Sequence, residues 1–153
     1  MVVGGLAWRR LPPDFPAWKS VYHYFWKWRK SGTWELVYQA LRVGERARQG
    51  REKEASAGCL DSQSVQSVGG KQAARGSDAG KKITGRKRPV LVDTLGLPRA
   101  VKVTAASASD QAGARRLFEQ QRAKLKNIQK IWVDGTYRGA DWHAEVKAAD
   151  GIE

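Results

Sequence analysis

The sequence is poor in the residues that staple or plate small proteins. It has one cysteine, Cys59, and two histidines, His23 and His143, in 153 residues. A single cysteine excludes an intrachain disulfide and fits a reducing compartment. With two histidines far apart, it also excludes a zinc-ligand pattern. Cys59, inside "AGCLD", reads as a small core residue rather than a nucleophile. No apolar run approaches the ~18 residues of a membrane span. The opening "MVVGGLAWRR" has neither a basic n-region nor an apolar stretch long enough for a signal peptide. These absences predict a cytoplasmic protein with no membrane partner. Acids are scarce as well, with 15 Asp+Glu against 28 Lys+Arg and a formal charge of +13. Such an excess opposes compaction and predicts a polyanionic partner, nucleic acid first of all.

What is present begins with aromatics: seven Trp, five of them before residue 35. Trp18, Val21, Tyr22, Phe25 and Trp26 recur at helical spacing. Asp14 is the expected cap, Pro16 suits the first turn and Gly32 marks the stop. Lys19, His23, Lys27 and Lys30 form a second, basic stripe. Thr33 is expected to cap a second helix through "WELVYQALR". The two helices read equally well as a helix-turn-helix-like pair on DNA or as an ordinary helical hairpin. Residues 1–43 are thus expected to be a DNA-binding helical segment, 44–56 a polar linker, and 57–153 a second domain.

That second part opens with a short strand candidate, "AGCLDSQSV", in which Asp61 follows Leu60. Next comes a Gly-rich basic segment without hydrophobic periodicity. From Lys71 to Arg88 it carries seven basic residues (Lys71, Arg75, Lys81, Lys82, Arg86, Lys87, Arg88) and one acid, Asp78. It reads as a flexible loop that gives up counterions to DNA phosphates. Val90–Val92 and Val101–Thr104 flank the turn region "LGLP" and predict a β-hairpin. A helix capped by Ser109 or Asp110 follows, with Ala114, Leu117, Phe118, Gln121, Leu125 and Ile128 on its apolar face. "KIWVDGTYRG" begins as a strand buried on both sides. A last helix carries Trp142, Val146 and Ala149 and stops at Gly151.

This order predicts a mixed α/β sheet in which Ile131–Val133 runs parallel to Gly58–Leu60. Asp61 and Asp134 would then emerge at one edge, the usual ligand edge of such sheets. Two like charges so close require neutralisation, and Mg²⁺ accepts one or two carboxylates plus phosphate oxygens. The alternative is that both are ordinary turn residues. Asp93, inside a hairpin strand, is a weaker candidate.

"GLAWRRLPPDFPAWKSVYHYFWKW", "LDSQSV", "DAGKKITGRKRPVLVDTLGLP" and "IWVDGTYRG" together resemble bacterial insertion-sequence transposases of the insertion sequence five type, members of the DDE superfamily. The resemblance implies a ribonuclease H-like core and metal-dependent DNA cleavage and strand transfer with Mg²⁺ or Mn²⁺. The implied DNA partners are element terminal inverted repeats and target DNA. It places the first two catalytic acids at Asp61 and Asp134. The third, a Glu in a Tyr–Arg–Glu–Lys helix, has no match; Glu145 and Glu153 do not fit its place. The expectation is a transposase fragment short at both ends, with a complementing second polypeptide or a homo-oligomer among its partners. A non-catalytic DNA-binding remnant and a small RNase H-like nuclease are the rival readings.

Overall fold

The computed structural model describes residues 7–66, 75–137 and 139–152. The chain divides between Arg51 and Glu52 into two compact units.

The first unit holds a 3₁₀ turn, Trp8–Arg10, and helices α1 (Trp18–Ser31) and α2 (Thr33–Arg48). Asp14 does not cap α1, whose N-cap is Ala17. The Phe15 N–H instead donates to the Pro12 carbonyl at 3.1 Å, so Asp14 lies within a proline-led turn ahead of the helix. Gly32, left-handed at φ 75°, ends α1 and also stands at the N-cap of α2. Thr33 is therefore already helical, and its hydroxyl pairs with that of Ser31 at 2.7 Å. The second helix runs through Gly44 to Arg48, so the first part of the expected linker is helix. Glu45 holds Arg48 at 2.7 Å and Gln49 at 3.0 Å across this last turn. The aromatic face packs as a small cluster: Trp8 against Tyr22 and Phe25, and Trp34 against Phe25 and Trp28. No apolar side chain of α1 or α2 is fully buried.

The second unit is a mixed α/β fold. Its strands are β1 (Ala57–Gln66), β2 (Gly76–Asp78), β3 (Ile83–Asp93), β4 (Pro98–Val101), β5 (Thr104–Ala105) and β6 (Lys130–Val133), and its helices are α3 (Asp110–Leu125) and α4 (Ala140–Asp150). The spatial order is β2-β3-β1-β6, with β4 and β5 also paired to β3. Strand β1 runs antiparallel to β3 and parallel to β6. Gly58 permits the close β1–β3 approach, since a Cβ there would lie 2.5 Å from the Val92 carbonyl oxygen. Ser109 caps α3, its hydroxyl accepting from Ala112 N–H. Helices α3 and α4 contribute Leu117, Phe118, Leu125, Trp142 and Val146 to a core shared with Leu60, Leu91 and Tyr137. Arg99, buried, joins Glu54 at 2.7 Å and donates to the Lys124 carbonyl near the end of α3. No described helix is long and apolar enough to cross a membrane.

Three expectations change here. Strand β6 is an edge strand rather than one covered on both faces: Ile131 and Val133 are half-buried, but Trp132 is 49% exposed. Cys59, opposite Trp132 in the parallel register, is exposed and not a core residue. The basic segment from Ile83 onward is strand, not loop. Its alternation is hidden because the inward positions before Leu91 hold Gly85, Lys87 and Pro89 instead of large apolar side chains.

Candidate functional site

The parallel register pairs Gly58 with Ile131, Cys59 with Trp132 and Leu60 with Val133. Asp61 and Asp134 are the next residues on the two chains. Each lies two positions beyond an outward-facing residue, so the period-two alternation of strands turns both to the same exposed face. The acids predicted from the sequence are thus brought together. One detail differs: Asp61 is not at a strand end. Strand β1 continues to Gln66 against β3, while β6 stops at Val133, leaving one side of β1 open beside Asp61.

Local hydrogen bonds fix both carboxylates. Asp61 Oδ1 accepts from the Ser62 N–H at 2.6 Å. Asp134 Oδ1 accepts from the N–H and the hydroxyl of Thr136, at 2.9 and 2.5 Å. The Thr136 hydroxyl above all, then its N–H and the field of Lys81, hold the Asp134 carboxyl below the ordinary carboxylate range. The remaining oxygen of each acid makes no hydrogen bond among the described residues. Two carboxylates that follow paired residues on neighbouring strands, each with an oxygen to spare, offer hard oxygen donors of the kind that suit a small divalent cation. No group of three His, Cys, Asp or Glu suited to a metal occurs among the described residues.

Behind the acids, Ser62 and Tyr137 join the two motifs through a buried hydroxyl–hydroxyl bond of 2.9 Å. Sequence reasoning did not single out either residue, although each follows its acid within three positions. Burial first, then the nearby Asp110, Asp61 and Asp134 carboxylates, push the Tyr137 phenol up to about 12. An unfolded tyrosine ionises near 10, so the unfolded chain releases this proton first. The stability that Tyr137 contributes is complete below pH 10 and is lost as pH rises to about 12. By pH 11 the loss is expected to be about 1 kcal/mol in wild type and absent in Tyr137→Phe, read from urea unfolding at pH 9 and 11.

The basic residues separate by face. Arg86 and Arg88 stand on the outer face of β3, where Val90 is the register partner of Asp61, and Arg88 donates to Gln63 at 2.7 Å. Lys81 and Lys82 are exposed in the β2–β3 turn, and Arg75 is exposed just before β2. Asp61, Lys81 and Arg88 line one open depression with Cys59, Val90 and Val92. Lys87 is a correction to the predicted phosphate-binding set. It is buried on the inner face, 2.9 Å from Asp110 and 3.7 Å from Asp78. Strand alternation places it between two outward arginines and opposite the core-facing Ser64. Lys71 lies outside the described residues. In the first unit Lys19, Lys27 and Lys30 are exposed along α1, and the Lys30 ammonium lies over the Trp26 ring at 5.8 Å.

Three other acids weighed in the sequence, Asp93, Asp78 and Glu145, have structural partners. Asp93 is buried, and its Oδ1 accepts from the N–H groups of Leu95 and Leu97, shaping the β3–β4 turn. Asp78 accepts from Ser64 and from the Lys81 N–H at the β2–β3 turn. Glu145 is held by Arg115 in a two-pronged pair at 2.7 to 3.0 Å that ties α4 to α3. Glu153 lies outside the described residues.

Comparison with known proteins agrees with this arrangement. Residues 1–38 match a family described as "Putative transposase of IS4/5 family". No curated protein and no solved structure matches the chain. Residues 52–152, which include the whole sheet, both acids and helices α3 and α4, match the family described as the transposase DDE domain. A sheet that sets two aspartates side by side, in a chain of net charge +13, is what such a domain needs to handle DNA with a divalent metal. The chain belongs to the DDE-domain transposases.

Proposed function

We propose that Asp61 and Asp134 are two of the catalytic acids of this DNA transposase and that together they hold Mg²⁺ or Mn²⁺. The observation that carries the reading is the parallel register of β1 and β6, whose last pair, Leu60 with Val133, is followed on each chain by one of the two acids, both exposed. A divalent ion bound there would polarise a DNA phosphate and favour the attacking oxygen. The chain's own part is to aim the two carboxylates, through Thr136 and the Ser62 backbone, and to seat DNA. Arg86 and Arg88 run along the same face, and with Lys81, Lys82 and Arg75 they would take the phosphates of element terminal repeats and target DNA. Lys19, Lys27 and Lys30 would give the first unit its own DNA contact. A protein of this kind would work at the nucleoid.

Loss of divalent-metal binding in Asp61→Ala and in Asp134→Ala is the direct test. If both variants bind Mn²⁺ as wild type does, the pair is not the site. No third acid joins the pair among the described residues, which favours a second reading, a DNA-binding chain completed by another polypeptide or another copy. Purified protein alone is accordingly expected to join labelled element-end duplexes to a target plasmid only weakly. Efficient joining without a second polypeptide would show that expectation to be wrong.

A further inference from the structure

We propose that the Lys81 ammonium is a built-in counter-ion of the Asp61–Asp134 pair, seated beside the acids in the metal-free chain and yielding to the divalent cation when it binds. The inference rests on the metal reading of that pair and concerns what stands at the site beforehand.

The β2–β3 turn is built to deliver this one side chain. Asp78 pairs with Ile83 across the hairpin, leaving four residues, 79–82, to make the connection. The Asp78 carboxylate accepts from the Lys81 N–H at 3.1 Å and is itself held by the Ser64 hydroxyl at 2.6 Å. Lys82 adopts a left-handed conformation, φ 52°, unusual for a residue with a side chain. The turn thereby folds back toward β1, and Lys81 Nζ donates to the Ser62 carbonyl at 3.2 Å.

That carbonyl is available for a physical reason. Pro89, opposite Ser62, directs its carbonyl to the Lys102 N–H on the other side of β3. Ser62 and Pro89 are therefore a non-hydrogen-bonded pair, and the backbone groups of Ser62 point away from β3, toward the side where β6 has ended. Its N–H is taken by Asp61 and its carbonyl by Lys81. The backbone of one residue, just past the end of the parallel pairing, thus links the first acid to the ammonium. The same ammonium lies near enough to Asp134 to stabilise its charged form. Two like charges on adjacent strands are costly without a compensating cation, and among the described residues Lys81 is the cation whose field reaches Asp134.

Calorimetric titration of the whole chain with Mn²⁺, without DNA, tests this. Wild type, Lys81→Met, Lys81→Arg, Asp61→Asn and Asp134→Asn are compared. Removing a like charge beside a divalent ion is expected to tighten Mn²⁺ binding about three- to tenfold in Lys81→Met. Lys81→Arg, which keeps the charge, should stay within about twofold of wild type by the same argument. Lys81 is exposed, and an unchanged circular dichroism spectrum confirms that the variants fold. Unchanged or weaker Mn²⁺ binding in Lys81→Met, with binding still lost in the aspartate variants, overturns the counter-ion role and leaves the metal site standing. Mn²⁺ binding as tight as wild type in both aspartate variants overturns the metal site and the counter-ion role with it.

Discussion

Replacing Lys87 by alanine is expected to destabilise the second unit by about 3–5 kcal/mol, a large part of the ~5–15 kcal/mol that a domain has. The side chain is 7% exposed, with Asp110 at 2.9 Å and Asp78 at 3.7 Å. Truncation strands two carboxylates in a largely dry space with nothing between them. Asp78 keeps its Ser64 hydroxyl and Lys81 N–H, so the damage falls mainly on Asp110 at the first turn of α3. There the helix N-terminus favours the negative charge, but only in part. A double variant, Lys87→Met with Asp110→Asn, removes the charges together and should recover at least about 1 kcal/mol of the loss. Urea unfolding of the three proteins decides it. A cost below about 1 kcal/mol for the single variant would mean that Lys87 reaches water in solution and belongs with the phosphate-binding residues after all.

The second large effect is on metal binding and leaves stability almost unchanged. Asp61→Asn and Asp134→Asn are each expected to weaken Mn²⁺ binding on the order of 10- to 100-fold, since each removes one of two charged ligands. The metal-free proteins should nevertheless unfold within about 0.5 kcal/mol of wild type, as exposed substitutions do. Asparagine keeps an oxygen for the Thr136 and Ser62 donors, and the like-charge repulsion disappears. Residues that hold a fold together lose stability when changed; residues kept for ligands lose only the ligand. If either variant also loses several kcal/mol, its carboxylate is a structural turn element. Calorimetry with Mn²⁺ and thermal unfolding without it give the two readings separately.

The site was more legible in the sequence than its surroundings. A strand, an antiparallel hairpin, then a helix leading back to a strand leaves few ways to close a sheet. The parallel pairing of Gly58–Leu60 with Ile131–Val133 follows from that order and is the pairing found, with Asp61 and Asp134 the next residues on the two chains. The apolar face of α3 was readable too, because Ala114, Leu117, Phe118 and Leu125 keep helical spacing and are buried. The basic segment does not show its strand character as an alternation of apolar residues. In "ITGRKRPVLVD" the inward positions of β3 hold a glycine, a lysine and a proline before they hold Leu91. Lys87 faces inward only because Asp110, from a helix more than twenty residues later, is there to receive it. No local pattern carries that information. The apolar run around Trp132 and the small-residue context of Cys59 point to the interior; what decides their exposure is which face of the sheet the helices cover, a property of the assembled unit. The Ser62–Tyr137 bond was invisible for the same reason, being a contact between residues 75 apart.

The exposed thiol of Cys59 gives the protein a spectroscopic handle without engineering. It is the sole cysteine, it is solvent-accessible, and it stands two residues before Asp61 on the same face of β1. A nitroxide attached there would be unique in the molecule and close to the acid pair. Mn²⁺ is paramagnetic, so ion occupancy and seating of a DNA end could be followed as relaxation of a single label, in the native sequence and in each aspartate variant.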